Sequence, residues 1–459
     1  MTADGMDTAG AAQRAPSLPA MPSFAEAVRV WLRIGLLSFG GPAGQIALLH
    51  RAVVDERRWI GERRFLHALN FCTLLPGPEA QQLATYLGWL MHGVRGGLAA
   101  GTLFVVPGAT VMLALSVLYA TVGSVPVVSA LFYGLKCAVL VLVVEALIRI
   151  ARRALKGRAA WALAGAAFVA LYALHVPFPV IVLGAGLVGY LMPAAFSGGG
   201  HGAAKGDSPA LLDAVLAVDP ERPERQARAA RRAGVIAVAA WLAPVALLLL
   251  VGGTYRDVAL LFSKMAVVTF GGAYAVLAYV AQEAVESYRW LAPAEMLVGL
   301  GLAETTPGPL ILVLQFVGFL AGFRAPEGLS AVAGGVAASV LTLWVTFAPC
   351  FAFVFLGAPV VERLQGHRAL SSALAAVTAA VVGVIANLAL WFGLRVLFRE
   401  TVRVGAWPAV DVPVPGSLDP LAAAIAGLAA LCVFRLRLGV VPTLGVAAVA
   451  GVVLRLTFG

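Results

Sequence analysis

An internal duplication constrains the fold of this chain more than any other feature. Three landmarks, the triplet FGG, a tryptophan and the triplet PGP, occur twice with one constant displacement of 231 positions. They occupy residues 39–41, Trp59 and residues 76–78 in the first copy, and residues 270–272, Trp290 and residues 307–309 in the second. The sequence therefore predicts two copies of one structural unit.

The composition places both copies in a lipid bilayer. Hydrophobic residues make up 61% of the 459 residues, charged residues only 12%, and the mean hydropathy is +0.92, which excludes an ordinary soluble domain. Apolar stretches near the length of a membrane span cover residues 24–49, 66–91, 97–121, 126–150, 159–174, 176–195, 233–252, 258–282, 296–322, 328–357, 370–398, 421–436 and 438–457. We predict an all-α, polytopic integral membrane protein of two homologous helical repeats.

Composition also divides the chain into segments. Residues 1–22 are rich in Ala, Pro, Gly and Thr and are predicted to be a disordered tail. The first repeat is assigned to residues 23–196, a polar linker to 197–232 and the second repeat to 233–459. The helix at 233–252 has no counterpart in the first repeat, so seven apolar segments separate the two starts. An odd number would invert the second repeat in the membrane.

The excess positive charge of +10 is clustered between apolar runs, at residues 51–64, 149–158 and 222–232. This pattern favours contact with anionic lipid head groups and argues against nucleic acid as a partner. The positive-inside rule places the loops around 50–66 and 149–158 on the cytoplasmic side, yet three predicted segments lie between them. We therefore expect the PGP segment, and its counterpart at 296–322, to re-enter the membrane, which leaves the relative orientation of the repeats open.

The two PGP triplets are the strongest helix breakers in the chain. Two prolines around a glycine cannot sit inside a regular helix, whereas a proline suits the first turn of a new one. The triplets Pro76, Gly77, Pro78 and Pro307, Gly308, Pro309 should each begin a half-helix whose free N–H groups can bind an anion. A kink that serves packing alone is the alternative.

The FGG triplets predict a second pair of breaks. Gly40 and Gly41 are followed by Pro42, which disfavours helical geometry at the preceding residue. In the second copy Gly271 and Gly272 weaken the helix at the same place, but Ala273 replaces the proline. The break is therefore expected to be stronger in the first repeat.

Polar side chains surround the PGP triplets and differ between the copies. Glu79, Gln81 and Gln82 follow the first triplet, whereas Glu304, Thr305 and Thr306 precede the second. With a carboxylate after one break and before the other, one face could bind an anion while another handles a proton. The alternatives are that Gln and Thr form hydrogen bonds between helices and that Glu79 caps its half-helix.

Two pairs of charged residues inside apolar segments are candidates for a functional role. The 231-residue displacement pairs Arg33 with Lys264, and we expect both to converge with the two PGP N-termini on one dianion, unless their long side chains snorkel to the interface. Lys136 and Glu145 are further candidates for coupling. A displacement of 242 sets them against Thr378 and Asn387.

The blocks around these breaks carry a family signature. FGGPAGQIALLH (39–50), LNFCTLLPGPEAQQLATYLGWLMHG (69–93), FGGAYAVLAYVAQEAV (270–285) and LAETTPGPLILVLQFVGFLAG (302–322) closely resemble the chromate ion transporter (CHR) family in its long, two-domain form. The family blocks map onto Phe39, Gly40, Gly41, Gln45, Pro76, Gly77, Pro78, Glu79, Gln81, Gln82, Phe270, Gly271, Gly272, Glu304, Thr305, Thr306, Pro307, Gly308 and Pro309. The assignment of Arg33 and Lys264 rests on the repeat alone.

The resemblance implies a multi-pass transporter of the bacterial inner membrane that exports chromate and confers chromate resistance, with two halves of opposite topology. Chromate is then the substrate and sulfate a natural competitor. The membrane potential would drive export of an anion, with or without proton antiport. A transporter or channel for sulfate, molybdate or a carboxylate is the main alternative.

The sequence gives no support to an enzyme. Cys72, Cys137, Cys350 and Cys432 are isolated, and the six histidines are dispersed, so we expect no metal, no redox cofactor and no disulfide. The expected partners are the transported anion and membrane lipid. The oligomeric state stays open, and a homodimer is one assembly that the sequence allows.

Overall fold

The computed structural model describes residues 21–39, 41–196, 210–219, 222–270, 273–360, 368–405 and 410–458. In the first half the helices are α1 Phe24–Leu37, α2 Gly41–His50, α3 Glu62–Leu74, α4 Glu79–Val122, α5 Pro126–Ala154, α6 Arg158–Tyr172, α7 Phe178–Leu191 and α8 Pro193–Phe196. Next come α9 Leu211–Val218 and α10 Arg222–Val251. The second half contains α11 Gly253–Val268, α12 Ala273–Gln282, α13 Pro293–Thr305, α14 Val313–Arg324, α15 Ala331–Gly357, α16 Arg368–Leu397, β1 Thr401–Val404, β2 Val410–Pro413, α17 Pro420–Ala430 and α18 Val440–Phe458.

Each PGP triplet forms the tip of a re-entrant hairpin, as predicted. In the first repeat α3 leads to the triplet, and α4 begins directly after it and bends at His92 and Gly93. The rings of Phe71 and Tyr86, on opposite sides of the triplet, lie 5.1 Å apart. Fifteen residues of continuous helix would separate them by about 22 Å, so the chain turns back at the tip.

The second PGP hairpin has the same form. Arg324, at the end of α14, forms an ion pair of 2.7 Å with Glu295, near the start of α13. Gly299 of α13 also packs directly against the ring of Phe316 in α14. The two arms therefore lie side by side, with the triplet at the closed end.

The FGG segments are hairpins as well, which corrects the prediction of single interrupted spans at 24–49 and 258–282. Phe24 of α1 contacts His92, and His50 at the end of α2 bonds to Glu62, the first residue of α3. Both ends of this segment thus lie at the open end of the first PGP hairpin. Pro42 does not interrupt a helix, because it sits in the first turn of α2, where a proline is tolerated.

The second FGG segment repeats this arrangement around the second PGP hairpin. At its start, the backbone N–H of Thr254 donates to Glu327 and the Tyr255 hydroxyl lies 3.3 Å from the Pro326 carbonyl. After its end, the Trp290 carbonyl accepts a hydrogen bond of 2.5 Å from Arg324. Both ends therefore lie at the open end of the hairpin formed by α13 and α14.

Long apolar helices follow the hairpins in each repeat. In the described part of the chain, 6 helices are long and apolar enough to cross a membrane: residues 79–122, 126–154, 224–251, 331–357, 369–397 and 440–458. Shorter apolar helices occupy 158–172, 178–191 and 420–435. The structure is thus that of an all-α, multi-pass membrane protein, with four apolar helical segments after the hairpins of each repeat and α10 between the repeats.

The contacts between helices explain how the basic loops around 50–66 and 149–158 can lie on the same side of the membrane. Glu295 at the start of α13 meets Tyr119 near the end of α4, and Gly301, further along α13, packs on Val139 of α5. The second arm of α4, residues 94–122, and α5 therefore run in opposite directions. Because the first PGP hairpin does not cross, the basic residues before α3 and after α5 lie on one side. The positive-inside rule predicts that this side is cytoplasmic.

The same contacts show that the repeats are inverted. The first pair of hairpins opens on the side where α3 begins, and the second pair opens on the side where α4 ends. The odd helix α10 accounts for the inversion, because it crosses once between the repeats. Its residues pack on α15, with Gly234 against Leu356 and the rings of Trp241 and Phe353 6.3 Å apart.

Two regions differ from the expected segments. The predicted linker at 197–232 contains α9 and the first turns of α10, which begins at Arg222 and not at residue 233. Arg, Ala, Gln and Glu favour helix, and α9 is anchored by an ion pair of 2.8 Å between Asp213 and Arg64. The short antiparallel pair β1 and β2 was not predicted. The proposed tail lies mostly outside the described residues.

Candidate functional site

The tips of the four hairpins meet in the interior of the molecule through one repeated contact. The backbone N–H of Gly308 donates to the Ser38 carbonyl at 2.9 Å, and that of Gly77 donates to the Thr269 carbonyl, also at 2.9 Å. Ser38 and Thr269 are related by the 231-residue displacement, as are Gly77 and Gly308. Each PGP tip is therefore held by the FGG tip of the opposite repeat.

The central glycines of the two triplets are required by backbone geometry. Gly77 has φ of +123° and Gly308 has φ of +97°, a region that L residues rarely adopt. A Cβ at Gly77 would also lie 2.8 Å from Gln82 Nε2 and 3.0 Å from Cys350 Sγ. At Gly308 the nearest atom would be Leu312 Cδ1, at 3.1 Å. The first tip is the more tightly enclosed.

A long helix of the membrane domain packs against each PGP tip. Gly108 of α4 lies so near the second triplet that a Cβ would come within 1.9 Å of the Pro307 carbonyl oxygen. Cys350 of α15 occupies the corresponding place at the first triplet, since Pro107-Gly108 and Pro349-Cys350 are 242 residues apart. The tips are thus packed between the two repeats with little free space.

The residues that follow the two triplets lie at one small cavity: the start of α4 in the first repeat, and the 3₁₀ turn Leu310–Leu312, which leads into α14, in the second. The cavity is lined by Pro42, Gln45, Pro78, Glu79, Ala80, Pro309, Leu310 and Ile311. In α4 the first helical bond runs from Gln82 N to the Pro78 carbonyl, and after the second triplet it runs from Leu312 N to the Pro309 carbonyl. The N–H groups that precede these bonds have no partner within their helix. The N-terminal ends of α4 and of the turn that leads into α14 therefore border the same space.

The cavity measures about 20 Å³, which is room for about one water molecule. A tetrahedral oxyanion is larger than this space. A larger cavity of about 70 Å³ lies between α6, α12 and α16, away from the FGG and PGP tips.

Gln45 connects the repeats at the cavity wall. Its side chain is 1% exposed, and its amide Nε2 donates to the Gly308 carbonyl at 2.5 Å and to the Ser38 carbonyl at 3.3 Å. The residue at the equivalent position of the second repeat is Val276, which cannot form such a bond. Gln45 thus forms a hydrogen bond between the repeats that has no equivalent in the second repeat.

Other predicted residues bond within their own segments. Gln82 donates to the Pro76 carbonyl at 2.6 Å and Gln81 to the Thr85 hydroxyl at 3.1 Å. The hydroxyls of Thr305 and Thr306 both donate to the Leu302 carbonyl, at 2.9 and 2.6 Å. These two threonines therefore cap the end of α13 and do not line the cavity.

Glu304 belongs to a separate polar cluster. It is 6% exposed, and the Tyr274 hydroxyl donates to its carboxylate at 2.5 Å. Glu145 forms an ion pair of 3.4 Å with Arg149, and both lie within electrostatic range of Glu304. Lys136 lies elsewhere, with its ammonium 4.4 Å from the centre of the Tyr133 ring.

The structure does not bring Arg33 and Lys264 to the cavity, so the predicted convergence of two cations is wrong for this conformation. The buried face of α1 carries Val30, Trp31 and Ile34, which turns the Arg33 side chain outward into an exposed position. Lys264 is exposed too, and its ammonium lies 5.3 Å from the centre of the Tyr279 ring.

The glycines of the FGG triplets were also predicted to belong to the site. Gly41 lies at the start of α2 with φ of +73°, whereas Gly40, Gly271 and Gly272 lie outside the described residues. Ser38, Thr269 and Tyr274 were not predicted as site residues. A hydroxyl residue precedes each FGG triplet at the 231-residue displacement, so the repeat could have identified Ser38 and Thr269. Tyr274 replaces Ala43 in the first copy and gave no such signal.

Known proteins share this arrangement in sequence. The family described as "Chromate transporter" matches residues 25–190 and 256–452. The chain is 34% identical to the chromate transport protein of Pseudomonas aeruginosa, over 95% of this chain and 93% of that protein. It is 25% identical to the chromate transport protein of Cupriavidus metallidurans, over 82% and 83%. No solved structure matches it.

These matches decide the class of protein. The two family regions coincide with the two inverted repeats, and each contains one FGG and one PGP hairpin. Proteins of this family are transporters, which confirms that the chain is not an enzyme. The chain belongs to the chromate transporter family.

Proposed function

We propose that this protein carries chromate across the bacterial inner membrane, from the cytoplasm outward. The observation that carries the proposal is the convergence of two half-helix N-termini, one from each inverted repeat, on a single small cavity. Helix N-termini favour anions through their free N–H groups and positive dipole ends. In a membrane, such irregular backbone is tolerated where it lines a cavity or a protein interior.

The inverted repeats support an alternating mechanism. In transporters built from inverted repeats, broken helices hold the substrate near the middle of the membrane, and one repeat moves against the other. Here the hairpins of the first repeat open toward the basic, cytoplasmic side, and those of the second repeat open toward the opposite side. Separation of one pair of tips would expose the cavity to one side at a time.

The membrane potential supplies a driving force for export. Moving an anion out of a negative interior gains about 2.3 kcal/mol per charge for each 100 mV. The relatives named above are chromate transport proteins, and sulfate has the same shape and charge as chromate. Sulfate or another oxyanion is therefore the alternative substrate.

Uptake of labelled chromate into inverted membrane vesicles tests the proposal. Export from the cell corresponds to uptake in these vesicles, and an interior-positive potential should accelerate it. Unlabelled sulfate in excess measures selectivity, and an imposed pH gradient tests whether protons exchange with the anion. Vesicles with the inserted protein that accumulate no more chromate than vesicles without it would contradict the proposal.

A further inference from the structure

Glu79 is the charged residue in the lining of the cavity between the two half-helices. It is the first residue of α4, directly after the first PGP triplet. The 231-residue displacement places Leu310 at the same point of the second half-helix, and Leu310 lines the same cavity. Two equivalent positions thus carry a carboxylate on one side and an apolar side chain on the other.

The charges at this cavity do not balance if Glu79 is ionised when the anion is bound. A helix N-terminus acts as roughly half a positive charge, so the two ends offer about one. A dianion and a carboxylate together carry three negative charges. Within the described residues, no Lys, Arg or His lies within 4 Å of the Glu79 carboxylate, and Arg33 and Lys264 point away.

An ionised carboxylate in this lining would therefore repel the anion and compete with it for the positive helix ends. Like charges that share a buried site favour the state in which one of them is neutralised by a proton. A neutral carboxyl group removes the repulsion and can donate a hydrogen bond to an oxyanion. The anion itself cannot be neutralised fully without losing its attraction to the helix ends.

We propose that Glu79 binds a proton whenever the cavity binds its oxyanion, so that one proton crosses the membrane together with each anion. The inference rests on the proposed function. The proton joins a carboxylate oxygen from water on the loading side and leaves to water on the release side. Each chromate then moves one net negative charge outward, and the proton travels with the anion, not against it.

In the part of the chain that the structure describes, the side chains that line the cavity beside Glu79 carry no titratable group. Among the described residues, Cys72 of α3 is a titratable side chain within electrostatic range of Glu79. From the other elements at the cavity, Pro42 and Gln45 of α2 and the pair Leu310 and Ile311 contribute no titratable group. Glu304 is bound to Tyr274 and does not line the cavity.

The experiment measures the charge moved per anion. Purified protein is reconstituted into vesicles of phosphatidylcholine and phosphatidylglycerol with a fixed gradient of labelled chromate, at a pH where chromate is a dianion. The potential is set with potassium and valinomycin, and the value at which net flux vanishes gives the charge. We expect one net negative charge per chromate for the wild type and two for Glu79→Gln.

Two comparisons sharpen the result. A pH gradient should shift the zero-flux potential of the wild type and leave that of Glu79→Gln unchanged. Glu26→Gln removes a carboxylate from an exposed position of α1 and should behave as the wild type. Because chromate takes up a proton itself near neutral pH, flux at each pH is compared as the ratio of variant to wild type.

The outcomes separate this inference from the proposed function. Two charges per chromate in the wild type, or a Glu79→Gln value equal to the wild type, overturns the role of Glu79. Three charges overturn it in favour of proton antiport. If Glu79→Gln moves no chromate, the wild-type value alone decides. A wild type that moves no chromate at all contradicts the proposed function instead.

Discussion

The two repeats agree in their backbone and differ in the side chains at the shared cavity. The bond from Gly77 to Thr269 and the bond from Gly308 to Ser38 have the same length of 2.9 Å. In contrast, Gln45 and Glu79 of the first repeat stand opposite Val276 and Leu310 of the second. Duplication thus explains the frame of the site, and divergence explains how its two sides can perform different tasks.

The polar groups of the second repeat do not line the cavity. Tyr274 and Glu304 form a buried pair, whereas their counterparts Ala43 and Thr73 cannot. One repeat therefore places its carboxylate in the cavity, and the other places it against a tyrosine near Arg149. The following substitutions test this difference, from the largest expected effect to the smallest.

The largest effect is expected at the crossing helices. Gly108→Ala forces a Cβ to within 1.9 Å of the backbone oxygen of Pro307, and overpacking of a tight core costs about 1–3 kcal/mol or more. We expect chromate uptake to be lost. Cys350→Ala, at the corresponding place in α15, removes an atom and should retain uptake. Equal activity of the two variants would contradict the tight closure at Gly108.

The triplet glycines should show an unequal effect. Alanine at either position costs about 1–3 kcal/mol of backbone strain, and at Gly77 it also meets Gln82 and Cys350. We therefore expect Gly77→Ala to reduce uptake and thermal stability more than Gly308→Ala, whose nearest neighbour is a flexible leucine. Gly165→Ala, which meets nothing within 4 Å, is the control. The reverse order would show that the second tip is the more enclosed.

The pair of Tyr274 and Glu304 should contribute moderately to stability. Tyr274→Phe leaves a buried carboxylate without its donor, which costs about 1.5–3 kcal/mol. Thermal unfolding of the purified protein measures the loss. Glu304→Gln combined with Tyr274→Phe should cost less than the sum of the single changes. Additive losses would show that the two groups do not interact.

The smallest effects are expected at the cations first assigned to the site. Lys264→Ala removes a contact with Tyr279 that is worth about 0.5–1 kcal/mol at an exposed position, and Arg33→Ala removes an exposed side chain. We expect both variants to keep most of their chromate uptake. Complete loss of uptake in both variants would instead support the predicted convergence of the two cations on one anion. It would require a conformation in which both side chains turn inward.

The sequence predicted the repeats, the re-entrant PGP hairpins and the family, because prolines, glycines and a constant displacement are visible without a structure. It did not predict that the FGG segments turn back. A largely apolar stretch of 26 residues, such as 24–49, is long enough to span, and hydropathy cannot distinguish a span from a hairpin.

The side-chain contacts of the site were predicted only in part. Gln45, Glu79 and the last proline of each triplet line the cavity. Arg33 and Lys264 do not, because the direction of their side chains depends on the rotation of α1 and α11. That rotation is set by packing on partner helices, which a single sequence does not show. The backbone bond from the Gly308 N–H to the Ser38 carbonyl likewise depends on how the repeats assemble.

The central claim is that both repeats build one anion site. Equilibrium dialysis of the purified protein against labelled chromate tests it most directly, with Gly77→Ala and Gly308→Ala measured beside the wild type. The account predicts one chromate per chain and weaker binding in both variants. Two chromates per chain, or one whose binding responds to a change in only one repeat, would contradict it.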